Sequence, residues 1–384
     1  MRGGTILADK QIERWNYIDL IEFLGMLFVL IYHSTTYSYS FVKEGSSIYY
    51  ARYFMRTILS TCVPLFFFSN GFLLLNKPLN IKKHIIKIIN IIILTGVWGI
   101  ISILILMPIE HEYLSMKEII VYLCTWHQGW INHLWYMGAL VCIYVFFPIL
   151  KCAFDNQKKS FLFFTAICAI FTFGNRMLSI VGTIFASAIC GNEVNFLGIN
   201  LFNMFNPFRG IYGYAFVYFC VGGLAYGYTE KLKRIKARKR NSLAAISIIL
   251  SCTGLFVLGV VLSNISGKIW DVVWDGYDTI FTFVNVSAIF VLSISYLNVK
   301  NKAINKIVFT ISCNTLGIYH IHGIFIHLTH PIVKEWIVAQ TYLGCVAYSI
   351  VIMMLSLCAV LVIKKIPVLD CLVDLRKLEK RICK

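Results

Sequence analysis

Ten apolar stretches, each long enough to cross a bilayer, constrain what this 384-residue chain can fold into. A hydrocarbon core about 30 Å thick takes roughly 20 helical residues to span. Windows of that kind lie near 17–39, 53–75, 84–108, 132–151 and 160–176, then near 210–228, 242–263, 277–298, 308–329 and 343–364. In lipid a spanning segment bonds its own backbone groups, so each window predicts a helix. Hydrophobic residues make up 59% of the chain and charged residues 14%, a balance that excludes a soluble domain. The expected fold is therefore all-α: a polytopic membrane bundle of about ten transmembrane helices.

The net charge of +17 is informative through its placement. Of the 35 Lys and Arg, 27 fall in the N-terminal arm, in the connections 76–87, 151–159, 229–241 and 299–306, and in the tail from 364. These are alternate connections, and the positive-inside rule then puts both termini in the cytoplasm of a multi-pass cell-membrane protein. The basic residues are thus assigned to topology and anionic lipid rather than to nucleic acid. The densest run, Lys231 to Arg240, also suits a docking surface for a polyanionic cytoplasmic ligand. Thirteen cysteines are scattered without a CxxC pair and are expected to be small buried residues. The organisation expected is a cytoplasmic arm over 1–16, a transmembrane domain over 17–364 and a basic cytoplasmic tail over 365–384. The arm lacks a cleavable-signal pattern, so the first span is expected to be retained. In the fifth window Phe173-Gly174-Asn175-Arg176 interrupts the apolar run, which leaves 177–209 as a loop with room for a short re-entrant or interfacial helix. Trp126, His127 and Trp130, between Glu110 and Asn132, suit a headgroup belt.

Ionisable groups inside apolar helices point to function, because hydrocarbon penalises them. The first window carries Asp19, Glu22 and His33. Glu22 and His33 are eleven residues apart, about three turns, so they share one face with a rise of roughly 16 Å between them. A neutral imidazole at His33 can take a proton from a hydroxyl and pass it on. The second window contains Pro64 and then Ser69-Asn70-Gly71 within an aromatic run, the signature of a helix locally opened or closely packed. The fourth begins Asn132-His133-Leu134-Trp135-Tyr136, and the ninth runs Ser312-Cys313-Asn314-Thr315 to Tyr319-His320-Ile321-His322. His327 and His330 have helical ligand spacing, but no nearby acid completes a set and no metal site is expected. There is no Gly-x-Ser-x-Gly elbow, P-loop or dinucleotide fingerprint.

Four of these segments, with a fifth in the sixth window, resemble the integral-membrane acyltransferase 3 family, which includes bacterial surface-polysaccharide O-acetyltransferases. Asp19 and His33 match the first and last positions of its D-x-x-R-x(10)-H pattern. Pro64, Phe66 to Phe68 and Gly71 are similar to its P-x-F-F-F-x-S-G motif, with Asn70 at the serine. His133 to Tyr136, and Tyr144 to Pro148, resemble its H-L-W-F and Y-x-x-x-P. Thr315 to His322 resembles S-x-G-I-Y-x-x-H, and Tyr218 to Gly223 resembles Y-F-x-x-G.

The resemblance implies a bundle of ten helices that takes an acyl group, acetyl being the first expectation, from cytoplasmic acetyl-CoA or another acyl-CoA. The group is delivered to a hydroxyl of a surface glycan or lipid-linked saccharide, with no bound cofactor. On this reading His33 is the general base, and Asn70 and Tyr136 polarise the carbonyl. Asp19, Glu22, His133, Trp135, Tyr319 and His322 are implied to bind substrate. One position departs from the pattern: Glu22 stands where the family carries a basic residue. Arg14, Lys82 and Lys83 are the candidates to replace that charge at the donor. A glycan or small-molecule transporter and a non-catalytic subunit of a polysaccharide assembly are the competing readings.

Overall fold

A computed structural model describes residues 15–191, 194–208, 210–298, 301–375 and 377–378. Regular structure among them is helical throughout. The first helix, α1 (Asn16–His33), defines two faces of the bundle: proximal, at its start, and distal, at its end. The chain returns through α2 (Ser47–Arg56), a 3-10 stretch (Thr57–Thr61) and α3 (Cys62–Leu75), then rises along α4 (Ile81–Glu110). A short helix, α5 (Met116–Thr125), precedes α6 (Trp135–Asn156). The remaining helices are α7 (Lys158–Ala169), α8 (Asn175–Cys190), α9 (Ile211–Arg234), α10 (Ala237–Ser266), α11 (Ile280–Ser293), α12 (Lys302–Ser312), α13 (Thr315–Val333) and α14 (Tyr342–Ile363).

Seven stretches are long and apolar enough to cross a membrane, or eight if α12 and α13 count as one broken span. Of the ten windows, those of α9 and α11 are the two that fall outside this test. Helix α11 is short, and α9 is rich in Tyr and Gly and buried from Tyr214 to Cys220, so neighbouring helices replace lipid around it. The loop expected over 177–209 is corrected in its first half. The helix passes through a π turn at Ile170–Gly174 and continues to Cys190, its small polar residues Ser179, Thr183 and Ser187 turned inward. The tail beyond α14 folds back beneath the bundle as far as it is described. Trp98 donates from Nε1 to the Leu372 carbonyl at 2.7 Å, and Val373 is buried. Arg14 and nearly all of the N-terminal arm lie outside the described residues.

Two backbone features set the positions of the polar side chains. In α3, Pro64 falls in the first turn, where its missing N–H costs nothing, directly after the 3-10 stretch. Farther along, a Cβ on Gly71 would overlap the Phe219 carbonyl, and one on Gly222 would overlap the Phe68 carbonyl. Hence α3 and α9 touch backbone to backbone, the close-packed alternative of the two the sequence offered. The second feature is the 78° bend between α12 and α13. Asn314 and Thr315 supply side chains that compete for backbone bonds: Asn314 donates to the Thr310 carbonyl at 2.6 Å and Thr315 to that of Ser312 at 3.1 Å. The bend turns Ser312 toward α1 and sends Tyr319 and His322 into the core.

Candidate active site

Two cavities flank the inward face of α1. The proximal one, about 400 Å³, is lined by Glu22, Asn70, Lys87, Tyr136, Tyr144 and Ser312 among others. Its polar groups form two connected sets. Ser312 Oγ lies 2.6 Å from Glu22 and 2.8 Å from Asp19, so the two carboxyl groups converge on one hydroxyl whose single proton goes to one of them at a time. Across from it Lys87 Nζ donates to the Tyr144 hydroxyl at 3.2 Å, and that hydroxyl donates to Asn70 Oδ1 at 2.7 Å. Asn70 spends its amide N–H on the Phe66 carbonyl at 2.9 Å, which fixes its oxygen toward Tyr144. A carboxylate and an ammonium therefore share one small chamber.

The distal cavity, about 860 Å³, is lined by His33, His133, Arg56, Asp271, Tyr32 and Trp135, with further aromatics around them. His33 is exposed to it at the end of α1. The His33 ring lies 5.6 Å from the His322 ring, and His322 lies 5.0 Å from His133. His322 Nδ1 is 2.6 Å from the Tyr319 carbonyl. A carbonyl can only accept, so Nδ1 carries the proton and Nε2 presents the lone pair. His133 is 8% exposed, and its Nε2 has no hydrogen-bond partner among the described residues. Gly323 makes room for it, since a Cβ there would stand 3.1 Å from His133 Cε1. Beside the histidines, Tyr32 donates to Asp271 at 2.7 Å, and Arg56 donates to Thr35 Oγ1 at 2.9 Å while lying 4.0 Å over the Tyr39 ring.

Tyr319 lines both cavities. Its ring is 5.4 Å from Tyr136 on one side and 5.7 Å from His133 on the other, and its hydroxyl donates to the His133 carbonyl. It is the partition between the two chambers.

The structure divides the residues singled out in the sequence. His33, His133 and Trp135 face the distal chamber, while Asn70, Tyr136 and Glu22 face the proximal one. Tyr319 touches both, His322 is buried between His33 and His133, and Asp19 shares Ser312 with Glu22. Lys82 and Lys83 are exposed at the start of α4 and line neither cavity; Lys87, one turn farther on, does. His127 lines the distal chamber, its ring 5.8 Å from that of Trp274, so it does more than mark a membrane interface. Arg56, Lys87, Tyr32 and Asp271 were not singled out. Arg56 and Lys87 carry a detectable signal, a cation at the edge of an apolar window, whereas Asp271 lies in a connection with nothing to distinguish it. Among the described residues no group of three or more His, Cys, Asp or Glu is arranged to hold a metal ion.

A family model described as an acyltransferase domain matches residues 15–364, nearly the whole chain. The chain belongs to the acyltransferase 3 family. The polar residues of both chambers and the histidine cluster fall within the matched region, so this acyltransferase carries its polar machinery inside a membrane-type helical bundle. No curated protein and no solved structure matches the sequence.

Proposed function

We propose that this acyltransferase is a multi-pass cell-membrane enzyme that moves an acyl group, acetyl being the simplest, from cytoplasmic acyl-CoA to a sugar hydroxyl of a surface polysaccharide or lipid-linked glycan. The observation that carries this reading is the pair of chambers meeting at Tyr319, with His33 and His322 on the distal side and Lys87 on the proximal side. With both termini in the cytoplasm, the proximal chamber admits the donor and the distal one the acceptor. Lys87 then supplies the positive charge that Glu22 reverses. A point charge of this kind suits a phosphate or a thioester carbonyl.

In transfer, the hydroxyl oxygen attacks the thioester carbon. A C–O bond forms, the C–S bond breaks, and the hydroxyl proton passes to the His33 imidazole and ends on the departing thiol. Negative charge builds on the carbonyl oxygen, where the Tyr136 and Tyr319 hydroxyls are the available donors. The Tyr319 hydroxyl is occupied by the His133 carbonyl in this structure, so the partition has to turn before the chambers communicate. Asn70 acts one step back, by holding Tyr144 and through it Lys87.

The test is acyl transfer from radiolabelled acetyl-CoA to envelope glycan extracted from the host, using the purified protein in vesicles. His33→Ala is expected to lower the transfer rate by about 10² to 10⁴, the usual effect of losing a general base, with donor binding retained. Equal rates for the two proteins would remove His33 from the mechanism. Glycan crossing into sealed vesicles unacylated, with no label transferred to it, would favour transport.

A further inference from the structure

A third cavity, about 520 Å³, opens between the π turn, the start of α8 and the connection that leads into α9. Its polar lining includes Thr172, Asn175, Arg176, Asn200, Asn206 and Asp278. The charge within it is already balanced. Arg176 reaches Asp275 at 3.3 Å and Asp278 at 3.2 Å, so no net positive charge remains to attract an anion. What is left is a set of amides and hydroxyls, with the aromatic side chains of Phe171 and Phe208 in the same wall. Two of the polar groups are unspent. Thr172 is 5% exposed, and its Oγ has no partner among the described residues; the Asn200 side-chain N–H₂ is likewise buried without one. Buried hydrogen-bonding groups left open are costly, and this set would be satisfied by a ligand bearing several hydroxyls. Apolar rings in the same wall as such groups fit a sugar, which offers both C–H and O–H bonds.

The position of the cavity matters as much as its chemistry. The connection from 267 to 279 forms a wall of both the distal chamber and this cavity: Asp271 and Trp274 line the first, and Asp278 lines the second. Asp271 and Asp278 are seven positions apart along a turn, a span on the order of 10 Å at helical rise. A π turn, the rare form that recurs at functional sites, supplies Thr172.

We infer that this cavity is a second saccharide subsite, which holds a neutral sugar of the acceptor chain while another sugar of the same chain presents its hydroxyl to His33. The inference rests on the glycan-acceptor reading above and extends it: the enzyme recognises an oligosaccharide, not a single sugar. The probe is the host's extracted envelope glycan, cut to fragments graded by length, assayed both for acyl transfer and for binding by titration calorimetry. Thr172→Val keeps the shape and gives up a hydroxyl that bonds to nothing in the free protein, so folding is retained.

For the natural protein, KM should fall as fragments lengthen. In Thr172→Val, KM for long fragments should rise roughly three- to tenfold, the worth of one hydrogen bond, with the single-sugar KM and kcat unchanged. Transfer with no length preference, or with a preference that Thr172→Val leaves intact, would overturn the subsite and leave the acyltransferase reading standing. Binding of long fragments weakened by Thr172→Val, in a protein that transfers nothing, would do the reverse. Neither binding nor transfer would overturn both.

Discussion

The two chambers are built from different parts of the chain, and the difference fits the two substrates proposed for them. The proximal one is walled mainly by helices: α1 contributes Glu22, α3 Asn70, α4 Lys87 and α6 Tyr136 and Tyr144, with Ser312 at the bend and Leu375 of the tail completing it. Its contents are one charge of each sign and a relay of hydrogen bonds, a fixed arrangement suited to a ligand of constant chemistry such as a thioester with its phosphates. The distal chamber is about twice as large and takes much of its wall from connections, including Thr35 to Tyr39, His127 and Asp271 to Tyr277. Connections vary more readily than helix interiors do, and a large aromatic and histidine-lined space suits an acceptor that differs from one envelope to another.

That contrast can be broken experimentally. After His33→Ala, the largest effect is expected from Lys87→Met, which removes a charged partner from the proximal chamber. A charge-assisted hydrogen bond is worth about 1.5–3 kcal/mol, and KM for acyl-CoA should rise about ten- to hundredfold with KM for the glycan unchanged. Lys82→Met and Lys83→Met should move it far less. If all three behave alike, the basic face of the bundle and not the chamber binds the donor. Next comes Tyr319→Ala, which opens the partition. Water should then reach the thioester, and thiol release in the absence of acceptor should rise about tenfold, a barrier change near 1.4 kcal/mol; a steady thiol signal would mean that the chambers are separated by something other than this ring.

The smallest effect concerns stability at the rim of the distal side. Burial pushes the Asp278 carboxyl up to about 6, against the pull of Arg176. Burial likewise raises Asp275. A carboxyl whose pKa is higher folded than unfolded holds its proton more tightly in the folded state, so its contribution is full below the ordinary carboxylate pKa near 4 and is lost as pH rises toward 6. Thermal unfolding in detergent should therefore show a midpoint that declines across that window for this reason, and Asp278→Asn should flatten the decline. An unchanged slope in the variant would assign it to other carboxylates.

Much of this architecture can be read from the order of residues, and the exceptions have physical causes. The ten windows are legible because hydrocarbon demands long apolar runs, and each is occupied by helix. The extension of α8 to Cys190 is not, since Arg176 and the inward Ser and Thr residues lower its hydropathy while being satisfied by the connection that follows: Arg176 by the Leu197 carbonyl and Ser179 by that of Ile199. His33 and Tyr319 are recognisable from their motifs, yet no spacing rule reveals that Tyr319 touches two chambers, because that follows from the bend at Ser312–Asn314. Lys87 was counted among the topological charges of the 76–87 connection. Only its position one turn inside α4 separates it from Lys82 and Lys83.

The partition at Tyr319 has an electrical consequence. Water entering both chambers carries the potential of each compartment inward, so most of the membrane voltage drops across the short layer of side chains between them. Moving one elementary charge through 100 mV takes about 2.3 kcal/mol. In the proposed reaction the acyl group leaves sulfur as the equivalent of an acylium cation and the hydroxyl proton returns to the thiol in exchange, so no net charge crosses that layer and transfer costs no electrical work.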